Sequence, residues 1–77
     1  MHKEHDRIVL TSDLTTEGLK AGDVGTIVHV HQEGEAFEVE VLTLDGHTAA
    51  VASIPISCIR SVTTRDITHA RQMELLA

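Results

Sequence analysis

The stretch GLKAGDVGTIVHVHQEGEAFEVEV, residues 18–41, decides the fold. It contains a run of alternating apolar and polar residues, 24–31, and most of a second, which continues just past it as 36–42; Gln32, Glu33, Gly34 and Glu35 separate the two. A period of two marks a half-buried strand, and a short polar linker containing glycine marks a hairpin. A four-residue loop sets His31 opposite Ala36, Val30 opposite Phe37 and His29 opposite Glu38. Strict alternation then sets Val28 opposite Val39 and Ile27 opposite Glu40. One face carries Val24, Thr26, Val28, Val30, Phe37, Val39 and Val41. That face is the expected core, and a slip of one residue would turn it into water.

The flanking sequence extends this hairpin into a sheet. Residues 7–11 (RIVLT) read as a strand, and residues 12–23 as one ordered loop anchored inward by Leu14 and Leu19. Asp45-Gly46 is a strong two-residue hairpin signal, because both central positions of a type I′ turn need positive φ. It pairs Leu44 with His47, which sets Val41 against Ala50 and Val39 against Ala52. Residues 47–53 follow as a strand, residues 54–57 as a single turn in which Pro55 is barred from a central ladder, and residues 58–62 as the last strand. Short strands joined by tight turns predict an all-β fold, a small five-stranded antiparallel barrel over residues 6–62. Residues 1–5 are expected to be a flexible N-terminus and residues 63–77 a C-terminal helix or tail.

Size and composition limit what such a barrel does. A chain of 77 residues buries only about 60% of the surface its unfolded form exposes, so its stability is expected to be marginal. Cys58 is the only cysteine, which excludes an internal disulfide and reads as a buried thiol in a reducing compartment. No apolar leader or membrane-spanning run is present, so a cytoplasmic protein without membrane contact is expected. The formal charge is −6 with no cluster of lysine or arginine, which argues against nucleic acid. Phe37 is the lone aromatic among Phe, Tyr and Trp. Single-strand binding, methyl-lysine cages and proline-peptide grooves each need several rings.

His29 and His31 lie two apart on a strand and point to one side, which is spacing that can bring two imidazoles to a metal. Glu38, cross-strand from His29, is the candidate third ligand. Without a second ligand cluster, the favoured reading is exposed, pairing histidines and no cofactor. No nucleophile has a base and an orienting group beside it. The glycines Gly18, Gly22 and Gly25 lack the Lys-Ser/Thr of a phosphate loop and precede a strand, not a helix. No catalysis is expected.

The outward face holds Ile27, Leu42, Ala49 and Val51 besides its histidines and glutamates. Contiguous apolar residues there suggest a cover or a partner. In the C-terminal segment, Thr63 or Thr64 can cap a helix with Asp66 in its first turn. Ile67, Ala70, Met73 and Ala77 recur at helical spacing, with Leu76 alongside. Such a helix is marginal alone, so a frayed tail is the plain reading. The alternatives are a helix that covers the Ile27/Leu42/Val51 patch, in cis or swapped between protomers, and a segment that folds on another chain. The candidate interaction patch is therefore Ile27, Leu42, Val51, Ile67 and Met73.

The run Leu19, Gly22, Gly25, Thr26, Ile27 and Val28, followed by Phe37, Glu38, Val39, Glu40 and Val41 and a short closing strand, resembles a bacterial domain-of-unknown-function family (DUF4926) of small SH3-like barrel proteins. The resemblance spans residues 6–62. It implies similarity to the barrel of the nitrile hydratase β subunit and to KOW-type barrels. The basic surface that KOW barrels turn to RNA is missing here. The nitrile hydratase likeness implies a partner-supporting role without a metal ligand, since that enzyme's metal sits on its other subunit. The expected function is a non-catalytic protein-interaction module, such as an antitoxin, immunity or accessory subunit, binding a protein partner or itself. The alternative is a metal- or small-ligand-binding barrel using His29, His31 and Glu38.

Overall fold

The structure is a computed structural model, and it describes residues 2–73. These form five strands: β1 (Arg7–Leu10), β2 (Val24–His31), β3 (Ala36–Leu42), β4 (Thr48–Pro55) and β5 (Ile59–Ser61). All pairings are antiparallel, in the order β4-β3-β2-β1-β5. A meander of β2, β3 and β4 is thus joined to a second half in which β1 lies between β2 and β5, as expected for a small SH3-like barrel. β1 has a strand on each side, and its run Ile8, Val9 and Leu10 is buried throughout. The core gathers Ile8, Leu10, Leu19, Ile27, Phe37, Val39, Val41, Ala52, Ile54 and Ile59. Leu14 and Leu19 fold the long loop on itself by exchanging backbone hydrogen bonds of 2.8 and 3.0 Å.

The β2–β3 hairpin keeps the expected register at its tip: His31 pairs with Ala36, Val30 with Phe37 and His29 with Glu38. A β-bulge then falls between Ile27 and His29. Beyond it Ile27 pairs with Val39 and Thr26 with Glu40, not Val28 with Val39 and Ile27 with Glu40. Ile27 is therefore fully buried, while Val28 is 42% exposed and Val24 43%. The bulge inserts the larger apolar side chain at the inward position, and the expected core face is corrected there. On the other side of β2, Ile27 bonds the N-terminal segment: the His5 amide donates to its carbonyl at 2.8 Å, and its amide donates to the Asp6 carbonyl at 2.9 Å.

Gly25 has a steric reason to be glycine. A Cβ there would run into Cγ1 of Val39 and lie 3.1 Å from the Glu40 carbonyl and 3.3 Å from Cγ2 of Val41. The β3–β4 turn differs from the expected two-residue form. The Thr43 amide donates to the His47 carbonyl at 2.8 Å and the Gly46 amide to the Thr43 carbonyl at 3.0 Å, with Gly46 at φ 93°. This is a three-residue loop closed by a left-handed glycine. The extra residue is absorbed by a register shift between Val41 and Leu42, so Val41 still meets Ala50 and Val39 still meets Ala52. Pro55 ends β4 within the ladder, which an edge strand tolerates. The turn before β5 is one 3-10 turn, Ile56–Cys58.

The described part of the C-terminal segment is not helical. Residues 63–66 make a turn in which Asp66 accepts from the Thr63 amide at 2.7 Å and from both terminal nitrogens of Arg60 at 3.0 and 2.8 Å. The chain then runs without regular secondary structure to Met73, which packs against the core beside Gly18. Helical spacing loses here because the helix brings little by itself, whereas the irregular path lets Arg71 and Met73 reach partners. Leu76 and Ala77 lie outside the described residues.

Candidate functional site

The five residues of the expected patch do not share one surface. Ile27 is in the core. Leu42 and Val51 are about half exposed, at 48% and 50%, on the outward side of β3 and β4. Ile67 is 87% exposed and touches none of the core, and Met73 lies against the opposite, loop side of the barrel. The described part of the tail, residues 63–73, therefore does not cover Leu42 and Val51.

What the tail does cover is the long loop. Arg71 donates from Nε to Oδ1 of Asp23 at 2.9 Å, and from Nη2 to Oδ2 at 2.5 Å and to the Gly18 carbonyl at 3.1 Å. Asp23 also accepts from the Lys20 amide at 2.8 Å. Burial pushes its carboxyl up, but the Arg71 and Lys20 hydrogen bonds and their positive charge outweigh that and leave it below its ordinary value. Asp66 is held well below the carboxylate range, chiefly by Arg60 and then by the Thr63 amide. The Arg60–Asp66 clasp is local, but the Arg71–Asp23 clasp joins residues 48 positions apart, and helical periodicity gave no sign of it.

The histidines meet as alternation requires, but as a surface array. His31 Nε2 lies 3.2 Å from Glu38 Oε1, and the rings of His29 and His31 stand edge to face at 4.6 Å. His29 Nδ1 is 3.8 Å from Glu4, and the His2 ring stands edge-on to Phe37 at 5.5 Å. Among the described residues no three His, Cys, Asp or Glu side chains are arranged to hold a metal ion. Cys58 is half-buried, with Ser57 Oγ 3.9 Å from its sulfur.

The outward side of the β2–β4 half carries a different character. All six lysines and arginines lie outside residues 21–59, whereas Asp23, Glu33, Glu35, Glu38, Glu40 and Asp45 lie within them. Glu38 pairs across to Ser53, and Glu40 to Val51. Glu40 also accepts from the Thr48 hydroxyl at 2.6 Å. Beyond them runs β4, eight residues without a charge, at the edge of the sheet. Among the described residues no backbone hydrogen bond reaches it from outside its own turn and β3. The segregation of charge was present in the sequence. That β4 is an edge required the strand order.

No helix among the described residues is long and apolar enough to cross a membrane. Neither the curated proteins nor the solved structures contain a match to the chain. A family model does match, over residues 4–61: Domain of unknown function (DUF4926). That span holds all five strands, both hairpins and the long loop, so the chain belongs to the DUF4926 family.

Proposed function

We infer that this chain is a non-catalytic protein-binding module of the bacterial cytoplasm, an accessory, antitoxin or immunity subunit that docks a protein partner on the β3–β4 side of its sheet. One observation carries the reading: a long, uncharged edge strand that presents half-exposed Val51 and is bordered on β3 by half-exposed Leu42 and by Glu38 and Glu40. Edge strands commonly carry a lysine, an inward charge, a proline or a bulge that blocks pairing. From Ala50 to Ile54 β4 carries none of these, its proline standing at the end of the strand. The surface around it is acidic, which repels phosphate backbones and suits a protein.

The experiment is affinity purification of the full chain from its own host beside a Val51→Lys variant, with both proteins melted in parallel. The expected result is a stoichiometric second protein recovered with the unaltered chain and lost with the variant, at equal melting temperatures. Recovery of this chain alone, or of the same protein in equal yield with both, refutes docking at β4. Light scattering on the purified chain reads out pairing with a second copy.

A further inference from the structure

We propose that β4 takes an extended segment of a partner protein, bearing lysine or arginine at alternate positions, as a sixth strand of the sheet. This rests on the protein-binding reading above and specifies how the partner is held and what its chemistry is.

The two edges of the sheet differ. β5 has three residues, and its central Arg60 is locked to Asp66. β4 has eight, Thr-Ala-Ala-Val-Ala-Ser-Ile-Pro, and from Ala50 to Pro55 its pairing with β3 runs without a break. A regular strand with its outer N–H and C=O groups unpaired is the template that β-augmentation uses. Main-chain bonds then give affinity, and alternate side chains give specificity.

Charge selects the occupant. Val51 and Ser53 stand beside Glu40 and Glu38 on one side of the sheet. A strand added beyond β4 lies ~10 Å from β3, within the combined reach of a lysine and a glutamate. The side chains between them on β4 are small, so a lysine or arginine can lie across. Glu38 and Glu40 each accept one bond already, from His31 and Thr48, and a carboxylate has lone pairs to spare. A second copy of this chain would bring an uncharged β4 and its own glutamates, leaving Glu38 and Glu40 without cations.

The test uses the full chain and a fluorescein-labelled peptide, Thr-Lys-Val-Lys-Val-Lys-Thr. Its controls are the same peptide with glutamate for lysine, and the same peptide N-methylated at its lysines and valines. Anisotropy measures binding, and NMR hydrogen exchange follows the amides of residues 49–54. The lysine peptide is expected to bind and to slow exchange along β4. The glutamate peptide, the N-methylated peptide and the Val51→Lys variant are each expected to bind at least about tenfold more weakly, a loss of about 1.4 kcal/mol or more. Three results overturn the proposal: no binding up to about 1 mM peptide, equal binding of the N-methylated form, or concentration-dependent protection of β4 without peptide. The last puts a second copy on the edge. A partner recovered from the host and lost with Val51→Lys, in the face of peptide failure, keeps the docking surface and removes the strand addition.

Discussion

Replacing Gly25 with alanine tests the packing of the sheet at its tightest point. Gly25 has no positive φ, so the substitution adds one methyl group and no backbone strain of the left-handed kind. That methyl collides with Cγ1 of Val39 and presses on the Glu40 carbonyl at 3.1 Å. Carbon atoms settle at about 3.5–4.0 Å, so something must move. Val39 cannot readily do so. It is fully buried between Ile27 and Ala52 in the ladder, and a β-branched side chain is stiff about χ1. Overpacking of this kind costs about 1–3 kcal/mol, and the lower unfolded-state entropy of alanine returns about 0.4–1 kcal/mol. A net loss of about 1–2 kcal/mol lowers Tm by roughly 4–16 °C in a domain of this size. Urea denaturation read by circular dichroism gives the free energy directly. The Gly25→Ala/Val39→Ala pair supplies the control, because the new methyl fills part of the space vacated by Val39. The double variant should be more stable than the sum of the single losses by over about 0.5 kcal/mol. A Gly25→Ala protein as stable as the original, or losses that simply add, would refute the close approach of β2 to β3.

Three further outcomes are expected. Ile27→Ala should cost about 2–5 kcal/mol and Val28→Ala within about 0.5 kcal/mol, measured by the same denaturation; equal losses would place the bulge elsewhere. Asp23 and Asp66 have lowered pKa values, so the stability that their clasps contribute is full above the ordinary carboxylate value of 3.8. It is lost as pH falls through their lower folded values, and Asp23→Asn should flatten the decline of Tm on acidification below that point, with little change at pH ~7 in the slope of stability against pH. Glu33 sits at φ 55° and ψ 36° in the β2–β3 turn, where a side chain costs about 1–2 kcal/mol. Glu33→Gly should therefore raise stability by a few tenths to about 1 kcal/mol after the entropy of glycine is subtracted, as read by thermal melting.

The hairpin was legible in the sequence because His29, His31, Glu38 and Glu40 mark the wet side of two strands without ambiguity. β2 and β3 have the bounds that alternation assigns them. The error began where two apolar residues stand side by side: Ile27 and Val28 are equally suited to the core, and strict alternation selects the wrong one. A bulge costs the sequence no distinctive residue, so only the partner strand reveals it. The tail failed for a different reason. The spacing of Ile67, Ala70 and Met73 is a local signal, while Arg71 meets Asp23 across 48 positions, a long-range contact that periodicity does not encode. Of the expected patch, Leu42 and Val51 were readable as outward because they follow the period of β3 and β4. Which strands would be left at the edges depends on the order of the whole sheet.

The bulge has a consequence for chain length. Removing one residue from a strand normally turns everything beyond it over. Val28 is the exception: with Ile27 on Val39 and His29 on Glu38, adjacent residues of β3, it is the one position in β2 that has no counterpart. A chain lacking Val28 would close the ladder into a regular one with every inward residue still inward. DUF4926 sequences one residue shorter at this point would therefore keep the same core, straightened and less twisted, whereas a deletion at Thr26 or Val30 would exchange the barrel's interior for its surface.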